Sequence, residues 1–240
     1  ESPTNPGCDV LDLEHLGNLA KKHTLIFVVD NCFATPYLQQ PIKFGADIVI
    51  HSATKMIDGQ GRVLGGVSVG RADLIREIYL FARNTGPAMS PFNAWVLSKS
   101  LETLHVRADR HCENALKVAE FLEGHDKVNL VKYPFLKSHP QYEVAKKQMD
   151  DFGGMVSFNL KGNKLEDAIK VVTTTHYFTL AESLGGVESL IGHPASMTHA
   201  AIPKQKREKT GVVDSLIRLS VGVEDVEDLI VDLEQSLAKL

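Results

Sequence analysis

An uninterrupted apolar run early in the chain constrains the fold more than any other feature. The run covers residues 24–29 and stops abruptly at Asp30. A strand that is apolar on both faces belongs inside a parallel sheet covered by helices. Two further apolar runs, at residues 47–51 and 63–69, follow after helical or polar stretches. This alternation of helices and buried strands over the first hundred residues predicts an α/β architecture.

The order of the elements changes in the second half of the chain. A mostly helical stretch begins near residue 91 and ends at Gly124, and a clear amphipathic helix covers residues 224–239. Strands are predicted at 128–133, 154–160, 178–183 and 216–221, with helices near 141–149 and 164–172. We therefore expect a smaller α+β domain over residues 113–240, after a larger α/β domain over residues 1–112.

Charge and composition exclude several classes of function. The 240 residues contain 26 Lys and Arg against 30 Asp and Glu, a formal charge of −4, and no long block of one sign. This balance argues against nucleic acid and anionic membranes as partners. No apolar run reaches the roughly 18 residues of a membrane span.

Three cysteines, Cys8, Cys32 and Cys112, give an odd number without CxxC spacing. Neither a disulfide framework nor a metal site is therefore expected, and reduced thiols favour a cytoplasmic protein.

The start of the chain has an unusual composition. Residue 1 is not Met, and residues 1–7 have the composition of a turn with nothing before it to connect. We therefore expect that the chain was processed or that it is part of a longer polypeptide.

Polar side chains follow two of the predicted strands, and ligands bind beyond such strand ends in open α/β sheets. Asp30 follows the first strand, and residues 51–55 follow the second. Burial would disfavour the ammonium form of Lys55, so that its amine could act as a nucleophile or base, although most lysines are simply solvated. Ser52 and Thr54 are small hydroxyl donors suited to a phosphate. A lysine amine together with a carboxylate for a ring nitrogen matches what pyridoxal phosphate requires.

The same residues carry a resemblance to a known family. The chain resembles the Cys/Met-metabolism family of pyridoxal-phosphate enzymes, which includes cystathionine γ-synthases and lyases, methionine γ-lyases and acylhomoserine sulfhydrylases. The resemblance implies the aspartate aminotransferase-like fold type I, here as part of the large domain plus the smaller C-terminal domain. The motifs that carry it run through the whole chain in order, at residues 2–6, 30–36, 45–47, 51–55, 181–190 and 217–222.

The resemblance implies a role for each residue around the cofactor. Lys55 would form the Schiff base and then carry protons among the substrate carbons. Asp30 would keep the pyridine nitrogen protonated, while Ser52 and Thr54 would bind the phosphate. Asn5 would bond near the phenolic oxygen of the cofactor or the substrate carboxylate, although such a residue can also simply cap a turn.

Further residues are implied to contact an amino-acid substrate. Arg218 would grip the α-carboxylate, and its place in an apolar strand, where an unpaired charge is costly, favours a functional partner. Ser183 would lie close to the lysine and the substrate, unless its hydroxyl only bonds the backbone. Glu182 would also contact the substrate, whereas His51 is interpreted as structural.

The resemblance also implies what completes the protein. Family members carry an N-terminal part that supplies a phosphate-binding loop, a stacking tyrosine and residues donated across a subunit interface, none of which occur here. We therefore expect this chain to be the C-terminal portion of a longer polypeptide that forms a homotetramer with shared active sites.

The choice of reaction depends on short segments. Residues 58–62 look like those of O-succinylhomoserine sulfhydrylases. We therefore expect a γ-replacement in which O-succinylhomoserine and sulfide give homocysteine. Glu182 is instead similar to its counterpart in cystathionine γ-synthases and γ-lyases, so these reactions and that of methionine γ-lyase stay open. Outside the enzymes, a non-catalytic assembly module is the alternative.

Overall fold

Two β-sheets organise the chain, which a computed structural model describes over residues 1–240. The first sheet consists of β1 (Val28–Asp30), β2 (Ile48–Ser52) and β3 (Gly66–Gly70), in that order. β1 and β2 are parallel, with Asp30 opposite Ile50, whereas β3 runs antiparallel to β2. The parallel pairing brings the carboxyl ends of β1 and β2 to one edge of the sheet.

Helices surround this first sheet. α1 has an N-terminal cap in which the Asp12 carboxylate accepts a hydrogen bond from the His15 N–H at 2.9 Å. The helical stretch expected from residue 91 to Gly124 is two helices, because the chain leaves helical structure between Leu101 and Leu104. The helices of this part are α1 (Leu13–Lys22), α2 (Thr35–Leu38), α3 (Ala72–Thr85), α4 (Pro91–Leu101) and α5 (Leu104–Gly124).

The second sheet has five strands in the order β4-β5-β8-β7-β6. Only β6 and β7 pair in parallel. The strands are β4 (Val128–Lys132), β5 (Met155–Leu160), β6 (Thr179–Leu180), β7 (Leu190–Gly192) and β8 (Leu216–Ser220). The helices are α6 (Tyr142–Gln148), α7 (Leu165–Val172), α8 (Lys204–Lys209) and α9 (Val226–Leu237). Sequence analysis missed β7, since three residues are too few for an alternating pattern to show.

The largest hydrophobic core contains 35 buried residues and joins both parts of the chain. Most of them come from α5, α7, α9 and the second sheet, and Phe33, Leu38 and Met56 from the first half pack into the same cluster. The predicted domain boundary near residue 112 falls inside α5 at a buried cysteine of this core. That boundary stays a prediction.

One expectation about burial is wrong in this chain. The run at residues 24–29 was expected to be covered on both faces, yet Leu25 is 61% and Ile26 is 58% exposed. The strand is also shorter than expected, since it begins at Val28. The physical reason is that Leu25 and Ile26 lie before β1, outside a sheet of only three strands, and no neighbouring element covers them. β3, at the other edge, is exposed along its whole length.

None of the helices combines the length and the apolar character that crossing a membrane requires.

Candidate cofactor and substrate site

The first group of predicted site residues lies at the shared carboxyl edge of β1 and β2. Asp30 ends β1 and Ser52 ends β2. The Cys32 N–H donates to Oδ1 of Asp30 at 3.0 Å, and the Ser52 N–H donates to Sγ of Cys32 at 2.7 Å. Cys32 therefore links the two strand ends, and the carboxylate and the serine lie on the same edge of the sheet.

Lys55 lies in a wide helical turn over residues 53–57, directly after β2. Its own backbone departs from helical geometry, with φ −89° and ψ −122°. The carbonyl oxygen of Lys55 accepts the Gly59 N–H at 2.8 Å, and that of Ala53 accepts the Asp58 N–H at 2.8 Å. Lys55 is half-buried and takes part in none of the ion pairs of the structure. Its amine is therefore left available to a ligand.

Thr54 is held by its neighbour across the turn. Its hydroxyl accepts the Gly65 N–H at 3.1 Å and lies 3.2 Å from the Gly65 carbonyl oxygen, to which it can donate. The hydroxyl proton would have to rotate away from that carbonyl before it could reach a phosphate. The structure therefore gives Thr54 a competing partner that sequence analysis did not anticipate.

Arg218 lies in β8 with only 4% of its surface exposed. Nη1 donates to Oδ1 of Asn5 at 3.0 Å, and Nη2 donates to the carbonyl oxygens of Glu182 at 2.6 Å and Ser183 at 3.2 Å. Burial lowers the pKa of the guanidinium, which still keeps its charge as arginines in proteins do. Glu182 and Ser183 therefore contact Arg218 through their backbones, and both residues are exposed.

The segment that follows Ser183 packs directly against the lysine turn. Gly185 has a φ of +81°, and a Cβ placed on it would lie 2.7 Å from the Met56 nitrogen and 3.0 Å from the Lys55 carbonyl carbon. Farther along, the Val187 N–H donates to the Gly59 carbonyl at 2.9 Å. These contacts connect the turn that carries Lys55 to the segment that holds Arg218.

The N-terminal residues form a second connection between the two groups. The Ser2 N–H donates to the carbonyl oxygen of Asp30 at 3.3 Å, and the Asn5 N–H donates to Oε2 of Glu1 at 3.2 Å. Because Asn5 also accepts from Arg218, residues 1–5 extend from the end of β1 to the buried guanidinium. The predicted residues from both halves of the chain thus lie around one region.

Two histidines lie near this region. His51 is buried, and desolvation lowers its pKa, so that the ring is neutral. His193 bonds the Ser196 hydroxyl through Nδ1 at 2.7 Å and the Asp214 carbonyl through Nε2 at 2.8 Å. Both ring nitrogens of His193 are therefore occupied by partners, whereas Nδ1 of His51 is buried without a hydrogen-bond partner.

Sequence analysis missed Cys32 at the edge of the site. Burial, followed by the hydrogen bond with Asp30, raises the pKa of the thiol to about 12, so the sulfur stays protonated at neutral pH. The residue was singled out only as one of three free thiols. Its position two residues after Asp30 was the signal that could have placed it beside the strand ends.

The donor set fits pyridoxal phosphate. An aldehyde needs an amine, and Lys55 provides one that no carboxylate holds. A protonated pyridine nitrogen needs a carboxylate, and Asp30 likewise forms no ion pair. The Ser52 hydroxyl suits a phosphate, and so does the Thr54 hydroxyl once it turns away from the Gly65 carbonyl. This arrangement on an α/β fold is typical of proteins of fold type I that bind pyridoxal phosphate.

Comparison with known proteins identifies the family. The family described as Cys/Met metabolism PLP-dependent enzyme matches residues 1–238. The chain belongs to this family.

The relatives that the chain resembles have several different activities. It is 51% identical over 241 residues to a cystathionine β-lyase of Lactococcus lactis subsp. cremoris, covering 100% of this chain and 63% of the relative. It is 45% identical to an O-succinylhomoserine sulfhydrylase of Pseudomonas aeruginosa, with 100% and 59% covered.

Among solved structures, the chain is similar to a cystathionine γ-synthase of Xanthomonas oryzae pv. oryzae in complex with aminoacrylate and cysteine. The TM-score is 0.95 at 46% identity, with 99% of this chain and 62% of that chain covered. The chain thus spans about three fifths of the length of the relatives it matches.

Proposed function

We propose that the protein to which this chain belongs catalyses a pyridoxal-phosphate-dependent γ-replacement, in which O-succinylhomoserine and sulfide give homocysteine and succinate. The observation that carries the proposal is the contact of Gly185 with the Lys55 turn, which joins the lysine to the segment that holds Arg218. Two findings support the choice of reaction: residues 58–62 resemble the sulfhydrylases, and a sulfhydrylase of Pseudomonas aeruginosa is 45% identical.

The residues at the end of the first sheet would bind the cofactor and move protons. When bound, pyridoxal phosphate supplies an electron-withdrawing ring that stabilises negative charge on the substrate carbons. The Lys55 amine would hold the cofactor covalently, and then carry protons between the α, β and γ carbons of the substrate. Asp30 would keep a proton on the ring nitrogen, while Ser52 and Thr54 would bind the phosphate.

The residues of the second group would orient the amino-acid substrate. Three of the five N–H groups of the Arg218 guanidinium donate to Asn5, Glu182 and Ser183. The remaining donors would bind the substrate α-carboxylate, and Asn5 would be shared between this carboxylate and the arginine. Departure of succinate from the γ carbon and addition of sulfide there would then occur on a substrate held at its α end.

The cofactor role of Lys55 is tested by borohydride reduction of the purified protein followed by peptide mass analysis. We expect a pyridoxyl group on Lys55, and no stable attachment in the Lys55→Ala variant. Lys43→Ala is the matched control, because Lys43 is an exposed lysine outside the site. Attachment elsewhere, or equal attachment in Lys55→Ala, would overturn the proposal.

The second candidate activity is that of a cystathionine γ-synthase. The activities of cystathionine γ-lyase and methionine γ-lyase, from the same family, are further candidates. Glu182 resembles its counterpart in the synthases, and the similar Xanthomonas oryzae structure is a cystathionine γ-synthase. Assays of one preparation with O-succinylhomoserine plus sulfide, O-succinylhomoserine plus cysteine, cystathionine, and methionine would separate the candidates by kcat/KM. A lower value with sulfide than with cysteine would replace the sulfhydrylase by the synthase.

A segment N-terminal to these residues would complete the active site in a homotetramer. The exposed Leu25 and Ile26, the exposed strand β3 and the coverage of 63% of a relative support this proposal. The 240 residues alone should then bind pyridoxal phosphate weakly or not at all. Titration of the isolated chain tests this, and tight stoichiometric binding would contradict it.

The free cysteines support a cytoplasmic location.

A non-catalytic assembly module is the alternative outside the enzymes. Packing alone does not explain why Lys55, Asp30 and Arg218 lie in one region. Each is a charged group, and its partial desolvation costs free energy. A complete protein that binds the cofactor but turns over none of the four substrate sets would favour the module.

A further inference from the structure

A buried arginine of α5 contacts the turn that carries Lys55. Arg107 has 7% of its surface exposed. Nη1 donates to the carbonyl oxygen of Met56 at 2.8 Å, and Nη2 donates to that of Ile57 at 3.1 Å. The same guanidinium bonds Ser100 through its carbonyl at 2.9 Å and Thr103 through its hydroxyl at 3.1 Å. Two of its four acceptors are thus the residues immediately after the lysine.

The backbone of the turn is shaped to admit this guanidinium. Gly59 has a φ of +67°, and a Cβ placed on it would lie 2.0 Å from Nη1 and 2.6 Å from Cζ of Arg107. Only glycine leaves room for the guanidinium plane at this distance. Gly59 in turn donates to the Lys55 carbonyl and accepts from Val187. The arginine therefore lies where the lysine turn and the Arg218-bearing segment meet.

The charge of Arg107 is not neutralised by an ion pair of its own. The neighbouring carboxylate, Asp58, forms its ion pair with Arg62 at 3.0 Å. Arg107 directs its hydrogen bonds to three carbonyl oxygens and a hydroxyl, and desolvation lowers its pKa. Burying a charge in this way is costly. A planar group with five donors can hold several carbonyl oxygens in fixed directions, which a lysine cannot do.

We propose that Arg107 is a positioning residue, which fixes the direction of the Lys55 amine by holding the carbonyl oxygens of Met56 and Ile57. The inference rests on the proposed role of Lys55 as the cofactor-bearing lysine. Displacement of a reacting group by about 1 Å can cost about 100-fold in rate. Loss of the arginine should therefore lower kcat about 10- to 100-fold while KM changes little, because Arg107 does not contact the substrate site.

The test compares variants of the complete, cofactor-loaded protein. Arg107→Gln removes most of the donors, and Arg107→Lys keeps the charge and provides a second variant if the first does not fold. Arg207→Gln is the matched control, because Arg207 is also buried, with 8% exposed, and bonds the Val212 carbonyl and Asp214 in the other sheet region. Three properties are measured: urea stability, kcat and KM, and the pH at which the visible absorbance of the lysine-bound cofactor titrates.

We expect Arg107→Gln to shift the absorbance titration and lower kcat, Arg107→Lys to restore part of both, and Arg207→Gln to lose stability only. A titration and kcat equal to wild type in Arg107→Gln would overturn the inference. Equal changes in Arg207→Gln would also overturn it, because they would show a general effect of instability.

Hydrogen exchange separates this inference from the proposed function. In the cofactor-free protein, the N–H groups of Asp58 and Gly59 should exchange about tenfold or more faster in Arg107→Gln than in wild type. If no cofactor is found on Lys55 of the wild-type protein, the proposed function is wrong. The exchange rates would still show whether Arg107 holds the turn. Unchanged exchange would show that it does not.

Discussion

Gly185→Ala tests the contact on which the site depends, between the segment after Ser183 and the lysine turn. Gly185 has a φ of +81°, and a Cβ there would lie 2.7 Å from the Met56 nitrogen and 3.0 Å from the Lys55 carbonyl carbon. Both of these are backbone atoms, so the methyl group cannot be accommodated by rotating a side chain. Either the segment moves away or the turn that carries Lys55 is displaced.

The expected cost has two parts. A left-handed backbone costs a residue other than glycine about 1–2 kcal/mol. Forcing a methyl group into a packed contact costs about 1–3 kcal/mol more. Gly162→Ala provides a matched control, because Gly162 has a φ of +83° and no atom within 4 Å of the added Cβ. It should show the first cost alone, so that the difference of about 1–3 kcal/mol measures the contact with the turn.

Urea unfolding of the complete protein measures the free energy of unfolding of both variants against wild type. Cofactor affinity, followed by absorbance, should fall in Gly185→Ala and stay unchanged in Gly162→Ala. Equal losses of stability in the two variants, with equal cofactor affinity, would refute the reasoning. They would mean that the segment does not pack on the lysine turn in solution.

Three further predictions concern the second sheet region and its core. The Asp232 carboxylate accepts the backbone N–H groups of residues 176–178 at 2.7–3.0 Å, so Asp232→Asn should cost about 1–3 kcal/mol in urea unfolding. Phe158→Ala, at a fully buried position, should cost about 3–5 kcal/mol in the same assay. Burial lowers the pKa of His111 below its ordinary 6.5, so the stability that this ring contributes should be lost as pH falls below that value. The Nδ1 atom of His111 lies 2.7 Å from the carbonyl oxygen of Val221. His111→Asn should reduce this loss, because asparagine keeps a donor for that carbonyl but cannot take up a proton.

Each of these predictions has an outcome that contradicts it. A loss below about 0.5 kcal/mol in Asp232→Asn, as at an ordinary surface position, would mean that the three N–H groups find other acceptors. A small cost in Phe158→Ala would mean that the core collapses around the cavity. If His111→Asn loses as much stability at low pH as wild type does, the loss is caused by other histidines.

The ends of the first two strands were predictable from the sequence. The strand that ends at Asp30 and the polar residues after the next strand lie where the apolar runs indicated, because strand ends follow from short contiguous patterns. The family resemblance is confirmed by the match over residues 1–238. The expected cover over Leu25 and Ile26 is wrong for this chain, since burial depends on neighbouring elements that a run of apolar residues does not specify.

Other features became visible only in the folded chain. Arg218 bonds Asn5 across 213 positions of sequence, and Gly185 lies against Lys55 through backbone atoms that carry no residue-specific signal. Sequence analysis did not single out Arg107, which is buried and bonds the carbonyl oxygen of Met56 in the lysine turn. The sequence by itself determined which groups can do the chemistry and which strand ends carry them. Only the tertiary structure decided how they meet, because non-local packing and hydrogen bonds between distant carbonyls and side chains depend on the path of the whole chain.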